Sequence, residues 1–300
     1  MSAADWGRLL LLGALWGASF FLARIAVAEV APLALVLLRV GIAALALQLF
    51  LAAAGPSFRL ALPHLGTFVG LALLNNVIPF GLIFTGQTAV GAGLASALNA
   101  TTPFWTLLVM SAFSADERLS ANKLVGIGLG VAGAAVMVGP GLAANLGGPV
   151  WAKLALLGAA LSYAFALLYA RRFRGLPAPI IATGQLSLST VMVAPVVLLA
   201  YEPAAVLPRS MEVWAAVLAL AIFSTAFAYL LYFRLLATAG ATNASLVTLV
   251  VPASAILLGV TFLGESLEPF EAAGMALIGL GLIMIAGRLP RFFVKKRSRR

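Results

Sequence analysis

"ALNATTPFWTLLV", residues 97–109, lies within an apolar run long enough to cross a bilayer, yet it carries an asparagine, two threonines and a proline. Proline has no amide hydrogen, so Pro103 frees the carbonyl of Asn99 four residues earlier. Lipid offers that oxygen no water. A broken helix is tolerated at membrane depth only where protein or a water-filled cavity takes up the freed group. The stretch therefore predicts a membrane helix interrupted beside a cavity.

Composition extends this reading to the whole chain. Of 300 residues, 63% are hydrophobic and 9% charged, and the mean hydropathy is +1.10. That leaves too little polar surface to cover a soluble globule. Apolar stretches of about 20 residues match a roughly 30 Å hydrocarbon core at the rise of an α-helix. Taking polar and Gly/Pro breaks as boundaries gives ten spans, at 8–28, 32–54, 64–86, 92–114, 121–139, 151–171, 180–200, 213–235, 242–263 and 270–287. The first could be mistaken for a secretory signal, but it lacks a small-residue cleavage site and runs into Pro32 and a second span. The expected fold is an all-α membrane protein. With no cysteine, thiolate metal sites and disulfides are excluded, and no cofactor or metal is expected.

Lys and Arg are retained on the cytoplasmic side. With both termini placed inside, Arg8, Arg59, Arg118, Lys123, Arg171, Arg172, Arg174, Arg234 and the seven basic residues from Arg288 onward face the cytoplasm, and only Lys153 and Arg209 face out. The tail "RLPRFFVKKRSRR", 288–300, is the topology anchor expected to meet anionic headgroups, and not a nucleic-acid patch.

The chain also contains itself twice. At a spacing of 149, Pro103 aligns with Pro252, Gly91 with Gly240, Ala92 with Ala241 and Ser96 with Ser245; at 148, Glu117 aligns with Glu265 and Gly126, Gly133 and Gly139 with Gly274, Gly281 and Gly287. Five spans per repeat is an odd number, so the second copy, 149–287, enters the membrane inverted relative to the first, 1–148. The turn around Glu117 carries Arg118 and Lys123, whereas its counterpart carries Glu268 and Glu271. That charge reversal suits opposite faces.

"WGASFFLARIA" (16–26), "APLALVLLRVGIAAL" (31–45), the mid-span prolines, and the endings "DERLSANKLVGIGLGVAGAAVMVG" (116–139) and "GESLEPFEAAGMALIGLGLIMIAG" (264–287) resemble the EamA-type members of the drug/metabolite transporter superfamily over nearly the whole chain. The resemblance implies ten transmembrane helices in two inverted five-helix repeats in a bacterial inner membrane, exporting small metabolites. Its overall look is closest to exporters of aromatic amino acids.

The candidate site follows from polar residues near mid-span. Asn99 and Thr248 are repeat-equivalent, each four residues before a proline; Asn75 and Asn76 in the third span pair with Ser224 and Thr225 in the eighth. Such side chains often only bond neighbouring helices. Four helices presenting them at one depth suit a substrate cavity, to which Thr101 is added. Aromatic residues of the same layer, Trp16, Phe80, Trp105, Tyr163 and Tyr229, could stack on a flat substrate or hold a cation, Trp105 and Tyr163 being preferred. Pro79, Pro103 and Pro252 are candidate gating breaks. Glycines of the fifth and tenth spans read as scaffold packing. Arg24 and Arg39 are expected about 9–10 Å below the outer end, snorkelling or pairing with Glu29, or else drawing a substrate carboxylate at the outer mouth.

A lone histidine, His64, and the lack of paired carboxylates or catalytic motifs argue against an enzyme. No charged ring or filter loop suggests a channel. Every Asp and Glu falls in a loop or near a span end, so an uncoupled facilitator, exporting small metabolites such as aromatic or apolar amino acids as a monomer, is expected. A proton-coupled multidrug exporter is the alternative.

Overall fold

The computed structural model describes residues 1–113, 120–144, 148–173, 175–240, 244 and 246–285, with 139–144 and 204 described in backbone only. No strand occurs among them. Glu117, Arg118, Arg174, Ala241, Ser245 and the tail 288–300 lie outside the described residues. The main helices are α1 (Ala3–Ala26), α2 (Pro32–Ala54), α3 (Phe58–Gln87), α4 (Ala92–Asn99), α5 (Thr102–Phe113), α6 (Ala121–Ala144), α7 (Val150–Ala170), α8 (Ala178–Ala200), α9 (Met211–Ala239), α10 (Val247–Leu263) and α11 (Pro269–Ile285). Among the described residues seven helices are long and apolar enough to cross a membrane, while α10 and α11, of 17 residues each, are shorter apolar helices. Their outer faces are apolar too: Leu198, Leu199 and Phe262 are exposed, as suits contact with lipid.

Several boundaries depart from the hydropathy. α1 begins at Ala3 because Ser2 and Asp5 form a capping box: the Asp5 amide donates to Ser2 Oγ and the Ser2 amide to Asp5 Oδ2, both at 3.1 Å. The fourth span is two helices. Ala100 and Thr101 separate α4 from α5, so Pro103 stands second in α5, where a missing amide hydrogen leaves no helical bond unmade. The expectation that Pro103 leaves the Asn99 carbonyl open is thereby corrected. Thr102 Oγ1 donates to Asn99 O at 2.7 Å, and Thr101 Oγ1 to Leu98 O at 2.6 Å. The threonines of the opening stretch cap the break themselves. α10 instead carries Pro252 in its interior.

The two halves interlock. α1 packs on α9 and α10, and its counterpart α7 packs on α3, α4 and α5; α2 lies against α8, and α6 against α11. Each contact thus has a partner with the halves exchanged. The α6–α11 seam depends on glycine: a Cβ on Gly133 would lie 2.6 Å from Gly274 O, and one on Gly281 2.6 Å from Gly126 O. Backbones meet directly there, the close approach that small residues permit between membrane helices.

One end of the bundle carries Arg8, Arg59, Arg171, Arg172 and Arg234, and the other Glu29, Glu212, Glu265, Glu268 and Glu271. At the basic end Thr238 Oγ1 donates to Asp5 Oδ1 at 2.8 Å, joining the last turn of α9 to the first of α1.

A central cavity between two π-helical turns

α3 and α9 each lose their α-helical register once. Leu73–Val77 and Ile222–Phe227 are π-helical turns, and they contain Asn75 with Asn76, and Ser224 with Thr225. The repeat-equivalent polar pairs thus occupy equivalent distortions, of a kind often found at functional sites.

The cause is local. In the turn of α3 the Ile78 amide donates to Leu73 O, five residues back, so the next bond of that register would run from residue 79 to Leu74 O. Pro79 cannot donate. Ser162 of α7 replaces it, its Oγ donating to Leu74 O at 2.7 Å. In α9 the Thr225 hydroxyl donates to Leu220 O at 2.8 Å, also five residues back.

Side chains of the α3 turn reach across the bundle. Asn75 Nδ2 donates to Gln185 Oε1 at 2.8 Å and to Tyr229 Oη at 3.2 Å, and Asn76 Nδ2 donates to Ser189 Oγ at 3.0 Å. Gln185 and Ser189, both buried, come from the run "GQLSLST" (184–190) of α8. Their i, i+4 spacing on one helix face was the signal that could have added them to the candidate set.

Between the two turns lies a cavity of about 370 Å³. Asn75, Asn99, Ser224, Thr225, Thr248 and Tyr163 line it, as do Trp16, Phe80 and Tyr229. Tyr232 and Phe233 complete its aromatic wall. It reaches Ala170 and Ile181, at the basic-end termini of α7 and α8. The polar atoms Asn99 Oδ1 and Ser224 Oγ are buried with no hydrogen-bond partner among the described residues.

Other candidates stand apart from the lining. Asn76 is held against Ser189, Thr101 is buried with its hydroxyl on Leu98 O, and Trp105 keeps its indole Nε1 buried without a partner among the described residues. Pro79, Pro103 and Pro252 do not line the cavity.

The arginines separate. Arg24 lies at the acidic end, its Nη1 donating to Gln87 O, in a second hollow of about 690 Å³ shared with Glu29, Glu212, Glu265, Glu268 and Glu271. Arg39, expected at the outer mouth, instead lines the central cavity and is 6% exposed. Its Nε donates to Thr225 Oγ1 at 2.9 Å, and its guanidinium carbon lies 3.9 Å from the Phe80 ring centroid. Neither arginine pairs with Glu29, whose carboxylate accepts from the amides of Arg209 and Ser210 at 2.8 and 3.0 Å. Distance along the helix misplaced Arg39 because α9 supplies its partner from another part of the chain.

Comparison with known proteins agrees with this architecture. The model of the EamA-like transporter family matches residues 6–139 and again residues 150–287. The "uncharacterized inner membrane transporter YedA" of Escherichia coli K12 is 29% identical over 93% of the chain and 89% of its own length. The "uncharacterized transporter YoaV" of Bacillus subtilis is 25% identical over 90% and 92%. A "probable amino-acid metabolite efflux pump" of Salmonella typhimurium is 28% identical over 94% of both chains. A solved crystal structure superposes with a TM-score of 0.67 at 23% identity, over 95% of this chain and 97% of its own, a likeness of fold alone.

Proposed function

Because the chain belongs to the EamA-like transporter family, we propose that it exports small metabolites, above all amino acids with aromatic or apolar side chains, by alternating access as an uncoupled facilitator. The observation that carries this reading is the central cavity, with polar turns from both halves on an aromatic wall and no Asp, Glu or His in its lining among the described residues. Its volume sits at the small end of the roughly 300–1,000 Å³ range of small-molecule sites, which favours a metabolite over a bulky drug. The name of the Salmonella relative points to the same substrate class.

In this reading ten transmembrane helices form two inverted five-helix repeats, with both termini in the cytoplasm. The protein sits in a bacterial inner membrane, as the name of the E. coli relative suggests, and works as a monomer whose basic tail meets anionic headgroups. The cavity reaches the basic, cytoplasmic end. A second half-cycle opens the acidic end.

The test is counterflow in liposomes holding only this protein. Saturable exchange of labelled phenylalanine or leucine with no imposed pH or sodium gradient is expected, without accumulation when a proton gradient is applied. Proton-driven uphill transport of cationic drugs would replace this reading with that of a coupled multidrug exporter.

A further inference from the structure

Arg39 is the one charged residue lining the central cavity among the described residues. Its guanidinium has five N–H donors in a planar fork. One is used on Thr225 Oγ1, and Phe80 covers one face of the group. The two Nη groups have no hydrogen-bond partner among the described residues, although both belong to a side chain that is almost wholly buried. A cation buried without a counter-charge is among the costliest groups a fold can hold, and stacking on a ring offsets only part of that cost. Charges inside membrane spans persist where they pair with another group or meet a substrate.

We propose that Arg39 is the receptor for a substrate carboxylate, which makes the cavity selective for organic monocarboxylates with a flat or apolar body, zwitterionic amino acids among them. The inference rests on the transporter reading and narrows it. A carboxylate fills the guanidinium fork with two parallel hydrogen bonds. A single cation on an otherwise neutral lining selects a single anionic group, because a dianion such as a phosphate monoester would leave one negative charge among the apolar walls. Where the substrate also carries an ammonium, the unpartnered Asn99 Oδ1 and Ser224 Oγ are acceptors on the same lining. Thr225 makes the arrangement rigid: its hydroxyl accepts from Arg39 and donates to Leu220 O, tying the arginine to the π-helical turn of α9.

The test compares three probes of one shape on the purified protein: phenylalanine, 3-phenylpropionate and phenylalaninamide, by calorimetric titration. Both acids should bind, and the amide, which lacks the carboxylate, at least about tenfold more weakly. Arg39→Gln should weaken the acids about 10- to 100-fold and should not weaken the amide, whose ammonium is relieved of a like charge, and Arg39→Lys, which keeps the charge and loses the fork, should fall between for the acids. Should neither variant fold, the comparison of acid with amide on the unaltered protein decides alone. Binding of 3-phenylpropionate without phenylalanine would support the arginine's role and sink the amino-acid reading. An amide that binds as tightly as the acids, or binding of none of the three, would overturn the inference.

Discussion

At the acidic end of the bundle the side chain of Glu265 ties one half to the other, and removing it should favour an opening of the cavity toward that face. Glu265 lies just after Gly264, whose left-handed conformation (φ +64) turns the chain out of α10. Its carboxylate crosses to the other half and caps α4, accepting from the amides of Ala92 at 2.7 Å and Gly93 at 3.1 Å. Both are orphan donors at a helix start, where a negative charge also meets the positive end of the helix dipole. Hydrogen bonds to charged groups contribute about 1.5–3 kcal/mol each. Two that share one carboxylate and lie partly buried stabilise the closed face by about 2–4 kcal/mol, not the full sum. At 1.4 kcal/mol per decade, Glu265→Ala should shift the balance toward an opening at the acidic face by about 30- to several-hundred-fold. The chain has no cysteine, so Ser224→Cys alone reports on the cavity. Its labelling by an impermeant thiol reagent added from the acidic side should accelerate in the Glu265→Ala background. Gly259→Ala should act alike without removing the charge, because its Cβ would lie 2.4 Å from Glu265 Oε2. Unchanged labelling in both backgrounds, with the protein folded, would refute the reasoning.

At the α6–α11 seam, Gly133→Ala places a Cβ 2.6 Å from Gly274 O; overpacking of this kind costs about 1–3 kcal/mol, so the unfolding temperature in detergent should fall while ligand affinity in the folded fraction stays unchanged. Ser162→Ala leaves Leu74 O without its donor, at a cost of about 1–3 kcal/mol. Because that bond holds the turn that carries Asn75, ligand affinity should fall with stability, which separates this variant from Gly133→Ala. Glu29, in the turn between α1 and α2, has its pKa lowered from 4.5, first by the Ser210 backbone amide and side chain and then by the Arg209 amide. A folded pKa below the unfolded one contributes stability that is fully present above about pH 4.5 and is lost as the pH falls through the folded value. Glu29→Gln should remove that part of the acid dependence of unfolding.

The sequence made the spans legible because membrane helices are specified by long apolar runs, a signal that needs no knowledge of partners. The polar layer was legible for a related reason: Asn75, Asn76, Ser224 and Thr225 are costly in lipid, and their repeat spacing set them apart from chance. What it hid was set by contacts between distant segments. Arg39 lies within about two turns of an exposed connection, and only the approach of Thr225 and Phe80 explains its burial. The break at Ala100 was visible as a proline, but proline marks the first turn of a new helix as readily as a kink, and the capping threonines decided which. Glu265 read as a loop carboxylate because its partners are backbone amides, which carry no signature in the sequence.

If the cavity binds a carboxylate as proposed, its asymmetry would let a symmetric frame choose a substrate. Arg39 and Gln185 are each the eighth residue of their helix, α2 and α8, which have the same length and pack on each other. Each side chain reaches the π-helical turn of the other half: Arg39 donates to Thr225, and Gln185 accepts from Asn75. One geometry is therefore used twice, with a cation at one site and a neutral amide at the other. The frame has reason to be equivalent in its halves, since alternating access exchanges the roles of two repeats. The contents have no such reason, because an amino acid or aromatic acid has one carboxylate. Two arginines would repel each other across a small apolar cavity. In the proposed site a single arginine facing a neutral twin would fix where the carboxylate sits and leave the aromatic wall to the rest of the molecule.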